Sequence, residues 1–196
     1  MFQMVFSQLS RLVGHAPRPA PKVPPRLRIY AIGDIHGRFD LLQALTVQIA
    51  EDLAEGHPEH VLTIFLGDYV DRGPQSASVI AELSAGRFPT PIVALRGNHE
   101  EMFLQFLSTP DILDSWRRYG GLETLHSYGV DVADAMRGSG YAKAQGALVA
   151  KLPSAHADFL QSTQTHDSWG DYYFCHAGVK PHVPLEAQTG DDLYWI

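Results

Sequence analysis

From residue 27 onward, short apolar runs alternate with longer stretches whose apolar residues recur at helical spacing. The runs Leu27 to Ile32, Val61 to Leu66, Ile92 to Leu95 and Tyr172 to Cys175 each end at a Gly or His cluster, which marks them as short buried strands. Between the first two, Phe39, Leu42, Leu45, Ile49 and Leu53 keep a helical period; between the second and third, Val79, Ile80 and Leu83 do the same. The order predicts a βαβαβ core of parallel strands joined by helical crossovers, an α/β fold class. Residues 98 to 165 read as mostly helical, with Met102, Phe103, Phe106 and Leu107 on one apolar face and a break at Gly120-Gly121. The stretch from Ser108 to Thr165 is a candidate lid.

Residues 1 to 26 follow another pattern. Phe2, Val5, Phe6, Leu9, Leu12 and Val13 fit an amphipathic helix, and Pro17, Pro19, Pro21, Pro24 and Pro25 then forbid its continuation. We read an N-terminal helix on an extended Pro-rich arm, followed by one domain over residues 27 to 196. Gln3, Ser7 and Gln8 interrupt the apolar stretch and no basic residue precedes it, which argues against a signal peptide.

A chain of 196 residues with 45% hydrophobic content can bury one proper core. A formal charge of −7 provides no basic field for nucleic acid. Cys175 is the only cysteine, so no internal disulfide can form and a reducing cytoplasm is the expected setting. No apolar run approaches the ~20 residues that span a bilayer.

The chemistry gathers where the strands end. GDIHG (33 to 37), GDYVDRG (67 to 73), RGNHE (96 to 100) and HAG (176 to 178) follow the four runs in turn. Ligands of open α/β sheets collect beyond the carboxyl ends of the strands, so the four clusters are expected to share one crevice. Asp34 and His36 are two residues apart, a spacing that in extended chain points both side chains the same way, toward one metal. Carboxylates, imidazoles and the Asn98 amide oxygen, without thiolate, suit Mn²⁺, Fe or Zn²⁺ better than copper.

GDxHG, GDxxDRG and GNHE in this order resemble the signature of the phosphoprotein phosphatase family, bacterial serine/threonine phosphatase type, within the calcineurin-like metallophosphoesterases. The likeness implies a β-sandwich flanked by helices and two divalent metal ions. One would be held by Asp34, His36 and Asp68, the other by Asp68 as a bridge, Asn98 and His176, with a further histidine from a later GH motif. It also implies phosphomonoester hydrolysis by a metal-bridging hydroxide, with Arg72 and Arg96 clamping the phosphate. His99 would protonate the leaving alkoxide, and Asp71 would orient its imidazole.

The chain ends on GDDLYWI, residues 190 to 196, where members of this family continue with an arginine and the GH histidine. The expectation is a C-terminally truncated phosphatase domain with an incomplete second sheet. His182, flanked by Pro181 and Pro184, reads as a surface-loop residue rather than a replacement ligand. Three functions stay open: a serine/threonine protein phosphatase acting on a phosphorylated protein or small phosphoester, a hydrolase of diadenosine tetraphosphate or a related nucleotide, and a non-catalytic remnant that binds phosphate or metal.

Overall fold

A computed structural model describes residues 19–195. The helix expected before Pro17 lies outside the described residues, as does Ile196. Strand β1 (Leu27–Ile32), helix α1 (Phe39–Gly56), strand β2 (His60–Phe65), helix α2 (Ser76–Ser84) and strand β3 (Ile92–Ala94) follow one another along the chain. The three strands form one parallel sheet with β2 in the middle, Ile29 opposite Leu62 and Thr63 opposite Ile92. This is the βαβαβ unit that the periodicity predicts.

Alternation along each strand decides which layer a residue joins. Tyr30, Ile32, Phe65, Ile92 and Ala94 pack with Leu42 and Ile49 of α1 and with Val79, Ile80 and Leu83 of α2. Leu27, Ile29, Leu62, Ile64 and Val93 belong to a second cluster on the opposite face. Both faces of β2 are therefore covered, and Ile64 and Phe65 are fully buried. Each such side chain contributes about 1.5–3 kcal/mol relative to exposure.

The second face is closed by an antiparallel hairpin, β4 (His166–Trp169) and β5 (Tyr172–Cys175), whose Trp169 and Phe174 rest on Leu62, Ile64 and Leu95. Two sheets thus pack face to face, with two strands described in the second. The last residues of the proline arm are tied to this hairpin. Lys22 N donates to the Asp171 carboxylate at 3.0 Å, and Asp171 N donates back to the Lys22 carbonyl at 2.9 Å.

Between β3 and β4 run α3 (Asn98–Phe106), α4 (Leu113–Trp116), α5 (Gly121–Ser127), α6 (Ala133–Met136), α7 (Tyr141–Lys151) and α8 (Ser154–Ser162). Phe103, Phe106, Leu113, Trp116, Leu125, Leu148 and Leu160 from this layer are fully buried. The segment is therefore a packed part of the main core rather than only a cover. A last short helix, α9 (Gly190–Tyr194), buries Leu193 and Tyr194, and the Leu193 carbonyl accepts from Ala177 N at 2.9 Å. No helix among the described residues is long and apolar enough to cross a membrane.

Candidate metal centre and active site

The quoted motifs all lie just past carboxyl ends of strands. Asp34 and His36 follow β1, Asp68 follows β2, Asn98 and His99 open α3 directly after β3, and His176 is the residue after β5. The loops between are tightly constrained. Among the described residues seven non-glycines have positive φ, and four of them are His36 (44°), Asp68 (55°), Asp71 (73°) and Arg72 (64°). Left-handed backbone at a non-glycine residue persists only where surrounding contacts over-determine it. His36 and Asp34 do approach each other, with His36 Nε2 3.6 Å from Asp34 Oδ2. The cause is the left-handed turn at His36, not the extended chain expected from their spacing.

The Asp68 carboxylate is the hub. Its Oδ2 lies 3.6 Å from His36 Nε2, 3.7 Å from His99 Nε2 and 3.5 Å from His176 Nε2. Its Oδ1 accepts from His99 N at 3.3 Å, which places the negative charge at the N-terminus of α3. Gly97 allows this approach, since a Cβ there would overlap the Asp68 carboxylate. Asp34, Asp68 and His176 bring ligand atoms within 4.8 Å of one another, and so do His36, Asp68 and His99. Asp68 is common to both groups. The pairing differs from the expected division in that His99, expected only as a proton donor, also reaches the hub.

The donor chemistry fits a divalent cation. His36 Nδ1 is 2.8 Å from the Val70 carbonyl and His176 Nδ1 is 2.9 Å from the Leu66 carbonyl. A carbonyl only accepts, so each Nδ1 carries a proton, and each Nε2 is the atom turned inward, where its lone pair would bind a cation. His36 Nε2 is buried with no hydrogen-bond partner, and His176 Nε2 is 3.1 Å from Asn98 Oδ1, another acceptor. Lone pairs that face lone pairs beside two carboxylates are an arrangement that a cation resolves.

His99 is held from its other side. Its Nδ1 donates to Asp71 Oδ2 at 2.6 Å, and its Nε2 accepts from Arg72 Nη2 at 3.2 Å. Burial alone would lower its pKa, but the Asp71 hydrogen bond and the Asp68 charge outweigh that and raise it above the usual histidine value. Asp71 is itself fully buried and accepts from Trp116 Nε1 and Thr124 Oγ1, each at 2.6 Å. Arg72 and Asp71 are thus brought to His99 as expected. Arg96 is not brought to the cluster in this way. Its Nε donates to Thr163 Oγ1 at 3.0 Å, its Nη1 to Glu101 at 3.3 Å, and its Nη2 to carbonyls that include Gln161 at 3.1 Å. These hydrogen bonds tie α8 to α3, and none of them runs to Asp68 or His99.

Sequence reasoning gave no role to Glu100, although it quoted GNHE. The side chain is fully buried, and its two oxygens accept from the backbone N–H groups of Asp68 (2.7 Å), Tyr69 (2.8 Å), Val70 (3.3 Å) and Gly97 (3.0 Å). One carboxyl thereby joins the loop after β2 to the loop after β3. Burial, reinforced by the Asp68 charge, pushes its pKa up to about 7 against the pull of those N–H donors. Trp116 and Thr124 were missed as well, since nothing in their local pattern points 45 and 53 positions back to Asp71.

The chain is similar to known phosphatases over part of its length. Serine/threonine-protein phosphatase 2 of Escherichia coli (strain K12) is 37% identical over 93 residues, 47% of this chain and 38% of that protein. Serine/threonine-protein phosphatase PP1-1 of Saccharomyces cerevisiae (strain S288c) is 40% identical over 80 residues, 39% of this chain and 24% of that protein. The chain therefore matches well under half the length of these relatives. Among solved structures, a candidate diadenosine tetraphosphatase superposes with a TM-score of 0.52 at 19% identity, covering 84% of this chain and 56% of that one, a likeness of fold. Residues 27–195 match the profile described as Calcineurin-like phosphoesterase, and the chain belongs to that family.

Proposed function

We propose that the chain is the catalytic domain, over residues 27 to 196, of a metal-dependent phosphatase that hydrolyses phosphoserine and phosphothreonine monoesters in proteins. The observation that carries the reading is the Asp68 hub, with three imidazole Nε2 atoms 3.5–3.7 Å from one carboxylate oxygen and the Arg72–His99–Asp71 line beside it. Identity of 37% over 93 residues and of 40% over 80 residues to protein phosphatases supports the choice of substrate. Asp34, His36, Asp68, Asn98 and His176 would hold two divalent ions, Mn²⁺ first by ligand type with Fe or Zn²⁺ as alternatives. When bound, such ions polarise phosphoryl oxygens and make water acidic enough to ionise near neutral pH.

The remaining steps belong to side chains. Arg72, exposed at the mouth of the cluster, offers a planar fork to two phosphoryl oxygens and offsets the charge that builds on them. Once Arg72 has turned from His99 Nε2 to the phosphate, that nitrogen is free to carry a proton, which it delivers to the leaving oxygen as the bond to phosphorus breaks, returning to the neutral ring. Asp71 keeps the Nδ1–H oriented throughout and stabilises the imidazolium that donates. A phosphoprotein or small phosphoester in the cytoplasm suits a chain of net charge −7 better than nucleic acid does.

The test is phosphate release from phosphoserine and phosphothreonine peptides by the Mn²⁺-loaded chain, run beside chromatography of the products of diadenosine tetraphosphate. Faster turnover of the peptides supports the reading. A strong preference for the dinucleotide replaces it with a nucleotide hydrolase, and no turnover of either with metal bound leaves a binding domain.

A further inference from the structure

The stretch from Trp116 to Thr124 closes on Asp71 and Arg72 from outside the metal-binding motifs. Trp116 Nε1 donates to Asp71 Oδ2, and the Thr124 hydroxyl donates to Asp71 Oδ1, each at 2.6 Å. Thr124 Oγ1 also accepts from Asp71 N at 2.8 Å, so one hydroxyl grips both the backbone and the carboxylate of the same residue. Gly120 O accepts from Arg72 N at 3.2 Å. Gly120 itself has φ +101°, and a Cβ there would overlap the Arg72 backbone. At Gly121 a Cβ would overlap the Trp116 indole, so the glycine pair lets the turn fold over that ring. All three side chains, Asp71, Trp116 and Thr124, are fully buried.

Asp71 and Arg72 are consecutive non-glycine residues at φ 73° and 64°, a conformation that isolated chain disfavours. Contacts must hold it: Gly73 N donates to the Asp71 carbonyl at 2.7 Å and the Ser76 hydroxyl accepts from Asp71 N at 3.1 Å, and from distant chain Thr124 Oγ1 accepts from Asp71 N and Gly120 O from Arg72 N. The Asp71 carboxylate has no freedom left: Oδ2 takes His99 and Trp116, and Oδ1 takes Thr124. We propose that Trp116 and Thr124 are positioning residues, which fix the Asp71 carboxylate so that His99 keeps its proton on Nδ1 and aims Nε2 at the leaving oxygen. The role rests on the phosphatase reading above, and its failure is separable from failure of that reading.

A role in aiming His99 has a signature that general structural support lacks. Protonation of the leaving group matters for an alkoxide such as serine and little for p-nitrophenolate, which departs unaided. Full-length Thr124→Val, Thr124→Ser and Trp116→Phe chains are compared with wild type on a phosphoserine peptide and on p-nitrophenyl phosphate. Thr124→Val and Trp116→Phe are expected to lower kcat for the peptide by about tenfold or more, and by a several-fold smaller factor for the nitrophenyl ester, with Thr124→Ser recovering most of the loss. The second readout needs no activity. In the metal-free chain the His99 Nδ1–H, bonded to Asp71, gives a low-field proton resonance, expected to move upfield or vanish in Thr124→Val and to return in Thr124→Ser. Equal losses on both substrates, or a resonance unmoved by Thr124→Val, overturn the proposal. If wild type hydrolyses neither substrate, the phosphatase reading falls and the resonance alone decides this one. If Trp116→Phe does not fold, the Thr124 pair still carries the test.

Discussion

Replacing Asp71 by Asn and by Ala separates the worth of its charge from the worth of its acceptors. The carboxylate is fully buried and takes three side-chain donors at 2.6 Å: His99 Nδ1, Trp116 Nε1 and Thr124 Oγ1. In Asp71→Asn the amide oxygen can stay on the His99 and Trp116 side, while the NH₂ faces Thr124. That hydroxyl, 3.0 Å from Ser76 Oγ, can turn to donate there and accept from the amide. Acceptors survive, and two charge-assisted hydrogen bonds become neutral ones, a loss of about 1–2 kcal/mol. In Asp71→Ala the Trp116 and His99 N–H groups lose their partner in a dry site, at about 1–3 kcal/mol each, so the loss rises to about 3–6 kcal/mol with the vacated volume included. Against a typical domain stability of about 5–15 kcal/mol the Ala variant is marginal and the Asn variant is not. Urea denaturation of the chelator-treated chains, which keeps metal out of the comparison, measures both. If Ala costs no more than Asn, the donors are not bonded as described and the account of this site is wrong. On a phosphoserine peptide, Asp71→Asn should still lose turnover heavily despite folding, because His99 then lacks the anion that stabilises its imidazolium.

Three other outcomes follow from the same geometry. Mn²⁺ at a free concentration one hundred times its Kd should stabilise the wild-type chain by about 2.7 kcal/mol, a Tm rise of about 5–10 °C, and Asp68→Asn should abolish most of it; a thermal scan in which the variant rises equally removes Asp68 from the centre. Gly97→Ala, whose Cβ would meet the Asp68 carboxylate, should cost about 1–3 kcal/mol and blunt the Mn²⁺ response, whereas Gly146→Ala in α7, facing open space, should gain about 0.5–1 kcal/mol. His156, desolvated beside Tyr128, has its pKa lowered below the usual 6.5. For a base with a depressed folded value, stability is complete above the unfolded pKa and falls as pH drops through 6.5 toward the folded one. His156→Gln should therefore lose less stability than wild type between pH 7 and pH 5 in urea titrations, and parallel curves would contradict the burial argument.

What was legible depended on whether the determinant lay within one short window of chain. β1, β2 and α1 were readable because buried strands and an amphipathic helix announce themselves by local periodicity. β4 was not, since His166 and Asp167 break any apolar run and the strand exists through pairing with β5 and packing of Trp169 on the other sheet. Its partner β5, uninterrupted Tyr172 to Cys175, was found at once.

The same division runs through the site. Motif spacing pointed to Asp34, His36, Asp68, Asn98, His99 and His176 as neighbours, and the strand ends do bring them together. How each is aimed was not legible. Asp34 meets His36 through a left-handed turn, Glu100 ties two loops through four backbone N–H groups, and Asp71 is gripped by residues 45 and 53 positions away. The partners of Arg96 were no more legible, since its hydrogen bonds run to Thr163, Glu101 and the end of α8. A motif names the donor and acceptor types that a reaction needs, but the strained backbone that presents them is stable only where distant groups hold it. Substitutions at Trp116, Gly120 and Thr124, all outside the motifs, should therefore disturb this centre more than many changes within them.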